Sequence, residues 1–265
     1  MGSRGALLGV MLLASVLTGC SHAPESREPD DPRPTRTVRY PEINYSYVWS
    51  TGPSANLTDR SEELVRASFE AWTYAYFVGP DQSYPGFDRA ISKAVQANDP
   101  KVGFLRGLAS QDPARKPAPR TIFAHIADLS ATSTDVTAVT CWYFVAADRD
   151  APQQEKWLTR AVKIGLHNST ATPGNPGIPD TDPDHADPRA HMPPTWDVFG
   201  TWNVTELNGV WPNEIPAPGC TPWWHERFPD FAVQPDGTLD APPGWQPPMM
   251  PVAVQYPEWI GPSPQ

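Results

Sequence analysis

Positive charge is scarce in this chain. Twenty Lys and Arg stand against thirty Asp and Glu, for a formal net charge of −10. Binding nucleic acid requires clustered cations that neutralise phosphates, so nucleic acid is excluded as the expected partner. The motifs of nucleophilic catalysis are also missing. There is no Gly-x-Ser-x-Gly, no Ser-x-x-Lys with partners, and no glycine-rich phosphate loop following a strand-like segment. Cysteine occurs three times, and a long apolar run occurs once, at the N-terminus. What the chain has in excess is proline, 34 residues, and tryptophan, 11 residues. Proline favours extended, irregular backbone, and tryptophan favours partly buried surfaces.

The first nineteen residues carry one charge, Arg4, then an apolar stretch from Ala6 to Leu17, then Thr18-Gly19-Cys20. A positive start, a short apolar core and a small-residue site make an export signal. The run is too short for a bilayer span, which needs roughly 20 apolar residues. Leu17-Thr18-Gly19-Cys20 resembles the bacterial lipobox. That resemblance implies cleavage before Cys20, lipid on its thiol and palmitate among the acyl chains. It places the mature chain on the extracytoplasmic face of the cell membrane. Two or more acyl chains give stable anchoring, where one gives reversible binding. The chain from Cys20 onward has 246 residues, enough for one large domain or two small ones.

With Cys20 lipidated, two cysteines remain, Cys141 and Cys220. An exported compartment permits disulfides, and an even remainder allows one bridge. The expectation is Cys141–Cys220; the alternative is two free buried thiols.

Residues 20–54 are expected to form a disordered Pro-rich tether, charged and apolar-poor up to Arg39. Tyr40 to Ser54, with Tyr45, Tyr47 and Trp49, is expected to run extended along the domain surface. The domain proper is expected over 55–220. Val65, Phe69, Trp72 and Tyr76 recur at helical spacing, predicting a helix from Asp59 to Phe77 with an Asp59–Glu62 capping box. Gly79-Pro80 ends it. Shorter helices are predicted over Gly86–Ala97 and Lys101–Ser110. The periodicity then changes to strands over Thr121–Leu129, Asp135–Ala146, Lys156–Asn168 and Thr195–Leu207. A long acidic insert, 169–194, separates the last two. Residues 221–265 read as a Pro/Trp-rich irregular tail that wraps its own domain, because exposed tryptophans would favour association.

Helices followed by antiparallel strands, the last reading Trp-Asp-Val-Phe-Gly-Thr-Trp-Asn-Val, resemble the nuclear-transport-factor-2-like superfamily. The chain is similar in particular to actinobacterial lipoproteins of that superfamily, from about Leu57 to Cys220. The resemblance implies an α+β, cone-like domain: a long helix wrapped by a curved antiparallel sheet of about four strands. Some members of the superfamily are enzymes with an acid–base pair in the cavity, and many only bind a small molecule or a partner. The acidic insert and the residues beyond Cys220 depart from that pattern.

Two constellations are candidates for chemistry. His125 lies three residues before Asp128 on one predicted strand, so the two are expected on opposite faces. His125 shares its face with Phe123, and the favoured reading is a structural histidine rather than a general base. Asp180, Asp182, Asp184 and Asp187 alternate as calcium ligands can. However, His185 stands where a calcium loop carries glycine, and His191 where its closing glutamate belongs. With His185 and His191 the loop also holds zinc-type ligands. A solvated acidic loop is the favoured reading, and no cofactor or metal is expected. The functional expectation is a lipid-anchored envelope protein that binds an envelope partner or a small apolar ligand. A pocket acid/base enzyme (a hydrolase or isomerase) and a metal-binding loop are the alternatives.

Overall fold

The computed structural model describes residues 44–106, 108, 118–147, 160–210 and 219–262. The expected signal segment, Cys20 and most of the expected tether lie outside them. The chain first forms strand β1, Tyr45–Thr51, and then helices α1, Arg60–Val78, α2, Phe87–Gln96, and α3, Gly103–Arg106, the last preceded by a 3-10 turn at Pro100–Val102. Strands β2, Arg120–Ala131, β3, Asp135–Ala146, and β4, Arg160–His167, follow. The rest comprises β5, Gly177–Ile178, β6, Asn203–Gly209, α4, Cys220–Arg227, β7, Ala232–Val233, β8, Leu239–Asp240, and β9, Ile260–Pro262. No helix among the described residues is long and apolar enough to cross a membrane.

The main sheet has five strands in the order β1-β2-β3-β4-β6. Every pairing is antiparallel except β1 with β2. That exception corrects the sequence reading in two ways. The sheet has a fifth strand, and the last part of the expected tether is that strand. Tyr45, Tyr47 and Trp49 alternate with partly polar neighbours and are at most 4% exposed. Their burial offsets an ordering cost that the charged residues before them cannot. β1 runs parallel to β2 because the three helices between them carry the chain back across the sheet, as a parallel connection requires.

Among the described residues, further chain lies against both edge strands. The free edge of β1 pairs with Tyr256, through Trp49 N–H to the Tyr256 carbonyl at 2.8 Å and Tyr256 N–H to the Tyr47 carbonyl at 2.9 Å. Helices α2 and α3 cover β6 at the other edge. Covered edges remove a template for strand addition by another chain.

Both faces of the sheet are buried. Ile122, Ala124, Ile126, Val136, Ala138, Val162, Ile164, Leu166, Val204 and Leu207 join α1 in the larger core. Phe123, Val139, Cys141, Tyr143, Val145 and Ala161 face a second core with Trp223, Trp224, Phe231 and Leu239. This second layer is built from the expected tail, which packs on the domain but, among its described residues, is not wholly irregular. It supplies α4, two short ladders and, with Trp259 at 2% exposure, a ring in the first core. The Cys141–Cys220 disulfide joins β3 to the first turn of α4, with Cα atoms 5.5 Å apart and both residues fully buried.

Helix α1 is close to its predicted bounds, but its start differs from the expected capping box. The Asp59 side chain makes no cap hydrogen bond; it accepts from the Asn56 amide instead, and the Glu62 carboxylate accepts from Ser61. The helix stops at Gly79, whose φ of 83° suits glycine, before Pro80, which has no N–H to offer. Its burial is not confined to one face. Nearly every residue from Glu62 to Ala75 is buried, including Glu63, Arg66 and Glu70.

The fourth predicted strand is shorter than expected. Trp196, Val198, Phe199 and Trp202 are buried, but in turns, and the strand begins at Asn203. The Asp197 carboxylate accepts the Gly200 N–H at 2.9 Å and Gly200 takes a φ of 54°, so a local turn replaces the ladder that alternation suggested. The third predicted strand is seen from Arg160, its first residues lying outside the described ones. The third helix is a 3-10 turn plus α3, and the end of its predicted range likewise lies outside.

Candidate functional site

The most concentrated chemistry lies on α1, at residues the sequence reading did not single out. Glu63, Arg66 and Glu70 fall at helical spacing, and all three are buried. The Glu70 carboxylate is fully buried and accepts four hydrogen bonds. Trp49 Nε1 donates to Oε1 at 2.8 Å; Tyr84 Oη, Trp259 Nε1 and Gln255 Nε2 donate to Oε2 at 2.6, 2.8 and 3.2 Å. Arg66, one turn earlier, donates to the carbonyls of Leu57 at 3.1 Å and Pro257 at 3.0 Å, and its guanidinium lies 4.5 Å from the Trp259 ring centroid. Glu63 accepts from the Gly177 N–H and from Arg60. Burial pushes the Glu70 pKa up, and the Arg66 charge and the donors from Tyr84, Trp259 and Trp49 pull it partly back. Burial likewise lowers Arg66, against the attraction of Glu70 and Glu63.

This cluster is closed to substrates. The space among Glu63, Arg66, Asp180, Glu258 and Trp259 amounts to about 10 Å³, at the limit for a single water. What the cluster does is physical. It ties β1, through Trp49, and the C-terminal segment, through Gln255, Pro257 and Trp259, to the middle of one helix. A more open groove of about 240 Å³ lies beside it, lined by Tyr45, Ser46, His191, Met192, Gln255, Glu258 and Trp259. That is smaller than the roughly 300–1,000 Å³ of sites that enclose a drug-sized ligand.

His125 faces the second core. Its Nδ1 is 2.9 Å from Ser50 Oγ, and its ring stacks on Trp223 at 5.2 Å between centroids and 10° between planes. Burial lowers its pKa, reinforced by the Arg227 charge. The structure revises the expected separation from Asp128. A bulge at Ala127 shifts the register, so His125 pairs with Cys141 and Asp128 with Val139, both opposite residues of the second core. The bulge sits where the chain enters α4. Gly219, at a φ of 86°, approaches so closely that a Cβ would lie 3.1 Å from the Ala127 carbonyl oxygen. Sharing a face does not pair the two groups. The hydrogen-bond partner of His125 is a hydroxyl, and Glu226, an exposed residue on α4, is the carboxylate whose charge raises its pKa.

The acidic insert is folded against the tail. β5 pairs with β9, and Asp180, 5% exposed, accepts the N–H groups of Asp182 at 3.1 Å and Glu258 at 2.8 Å. Asp182 accepts the Asp184 N–H at 3.2 Å and lies 3.1 Å from His185 Nδ1; its pKa is lowered by His185, whose own pKa is raised in return. Asp187 holds Arg189 in a two-point contact and is pulled down to about 2. His191 donates its backbone N–H to the Trp259 carbonyl at 2.8 Å. These carboxylates are engaged in turns and local pairs, and among the described residues no group of three or more His, Cys, Asp or Glu side chains is arranged to hold a metal. Burial raises Glu258, with further repulsion from Asp180 and Asp187.

No family model matches the chain, and no curated protein or solved structure matches it either.

Proposed function

We propose that the chain is a bacterial envelope lipoprotein, anchored through lipid on Cys20 on the extracytoplasmic side of the membrane, whose folded part acts as a binding or scaffold module rather than as an enzyme. The observation that carries this is Leu17-Thr18-Gly19-Cys20, directly after a short apolar run that begins behind a single positive charge. The joined Cys141 and Cys220 suit an oxidising compartment. The histidine best placed for acid–base work is held by Ser50 and Trp223 instead of by a carboxylate, which favours the non-enzymatic reading. The sheet packed on α1 is read, within the same proposal, as a variant of the cone-like nuclear-transport-factor-2-like arrangement. It is extended by a parallel edge strand and by the layer built from the C-terminal segment. The partner is an envelope protein or a small ligand seated in the groove beside Trp259.

Expression in a bacterial host with radiolabelled palmitate tests the anchor. The chain is expected to take up label and to fractionate with membranes, and Cys20→Ser is expected to abolish both. A Cys20→Ser chain that stays membrane-bound with unchanged mobility would refute the proposal.

A further inference from the structure

The segment from Pro247 to Val254 reads Pro-Pro-Met-Met-Pro-Val-Ala-Val, eight residues without a polar side chain. It is not packed away. Met249, Val252 and Val254 are 49%, 39% and 37% exposed, and they are three of the five exposed large hydrophobic residues among those described. Three of the eight are prolines, which carry no N–H that would need a partner outside water. Met250 N–H donates to the Ala146 carbonyl at 3.2 Å and Ala253 N–H to Thr121 Oγ1 at 2.9 Å, so the segment is held in place, with Met250 packed against the second core while Met249, Val252 and Val254 stay exposed.

The position of this strip matters as much as its composition. Ala146 pairs with Arg120 at the end of the β2–β3 ladder, Arg120 pairs with Tyr45, and the Arg120 N–H donates to the Asn44 carbonyl. The strip therefore lies at the end of the sheet where the described chain begins. The β2–β3 turn around Ser133 lies at the other end, twelve-residue strands away, roughly 40 Å.

Resting on the lipoprotein reading above, we infer that the Met249–Val254 strip is a membrane-contact surface that seats the domain on the lipid bilayer to which Cys20 anchors it. Only 24 positions separate Cys20 from Asn44, so the domain cannot stand more than roughly 85 Å from its anchor. Tethering at that range turns a weak apolar contact into an intramolecular one, at an effective concentration on the order of millimolar. A second lipid contact also supplements an acyl anchor in the way that two-signal anchoring does. With a formal charge of −10, attraction to anionic headgroups is not the driving force. The contact is apolar, needs no anionic lipid and is insensitive to salt.

The test uses the full lipidated chain in phosphatidylcholine vesicles carrying an acyl-chain quencher. A polarity-sensitive fluorophore is placed on Met249→Cys or, as control, on Ser133→Cys; the lipid on Cys20 and the Cys141–Cys220 bridge leave no other thiol. Loss of emission is expected at 249 and not at 133, unchanged by salt, and adding Val252→Glu to the 249-labelled chain is expected to restore emission. A vesicle-bound chain whose 249 label is no more quenched than its 133 label overturns the contact and leaves the anchor standing. The unlipidated Cys20→Ser chain, titrated with the same vesicles, judges the strip without the anchor. Quenching at 249 at high lipid concentration supports the contact, and its absence there overturns it even if Cys20 proves unmodified. A vesicle-free 249 label already shielded in a species of twice the chain mass also overturns it, by assigning the strip to self-association.

Discussion

Replacing Glu70 with leucine tests whether the buried polar cluster holds the fold together. Leucine is close in size, so the change removes the charge and the acceptors while nearly preserving volume. It leaves the donors of Trp49, Tyr84, Gln255 and Trp259 without their acceptor, and it removes the charge that attracts Arg66 most strongly. Removing one partner from a buried charged network costs about 3–5 kcal/mol, because the groups left behind stay desolvated. For a domain of this size each kcal/mol shifts Tm by roughly 2–4 °C, so a fall on the order of 10 °C is expected. Thermal unfolding followed by tryptophan emission measures it, and a urea titration gives the loss in free energy. Glu70→Gln separates charge from shape. The amide can accept at the Oε2 position, but its NH2 meets the Trp49 donor, for a cost of about 1–3 kcal/mol. The two variants also differ in how they respond to pH. The folded Glu70 pKa lies above its ordinary value of 4.5, so between the two values the folded state holds more protons than the unfolded state. Wild-type stability should therefore fall as pH rises through that window, while Glu70→Gln lacks this component, and the gap between them should narrow toward higher pH. A leucine variant as stable as wild type, or a gap that widens with pH, would refute the reasoning.

Three further outcomes are expected. The Cys141→Ser/Cys220→Ser double variant releases a bridge with a sequence separation of 79. It should lose up to about 4 kcal/mol in the chain-entropy model, read as a lower urea midpoint. His125 has a depressed folded pKa, so the unfolded state binds more protons just below 6.5. Stability should drop as pH falls through that range, with His125→Phe flattening the slope, and NMR titration of the imidazole should place its midpoint below that of an exposed histidine. Calorimetric titration with calcium or zinc should give traces indistinguishable between the wild type and an Asp182→Ala/Asp184→Ala variant, since these carboxylates already serve local turns and His185.

Much of the local order was legible. The spacing of Val65, Phe69 and Trp72 and the Gly79-Pro80 stop place α1, and the β-branched run from Asp135 to Ala146 coincides with β3. Counting thiols pointed to the bridge the structure contains, while in the acidic insert Asp182 and His185 are exposed but Asp180 is buried against the C-terminal segment. The sites themselves were not legible. Nothing local marks Glu63, Arg66 and Glu70 as buried, because the sequence around them does not say that Trp259, almost two hundred residues later, will close over them. The alternation from Trp196 to Val204 suggested a strand, yet the Asp197–Gly200 turn prevailed.

The amino-acid order by itself determined the acidic character, the main helix, the central hairpin and the available sulfur pair. All of these depend on composition or on neighbours within a few residues. Only tertiary structure decided that Tyr45–Thr51 is a parallel edge strand, that the sheet is covered on both faces, and that the C-terminal segment completes the core around Glu70. These outcomes depend on desolvation and on hydrogen bonds between distant segments, and those energies exist only once the chain has brought the segments together.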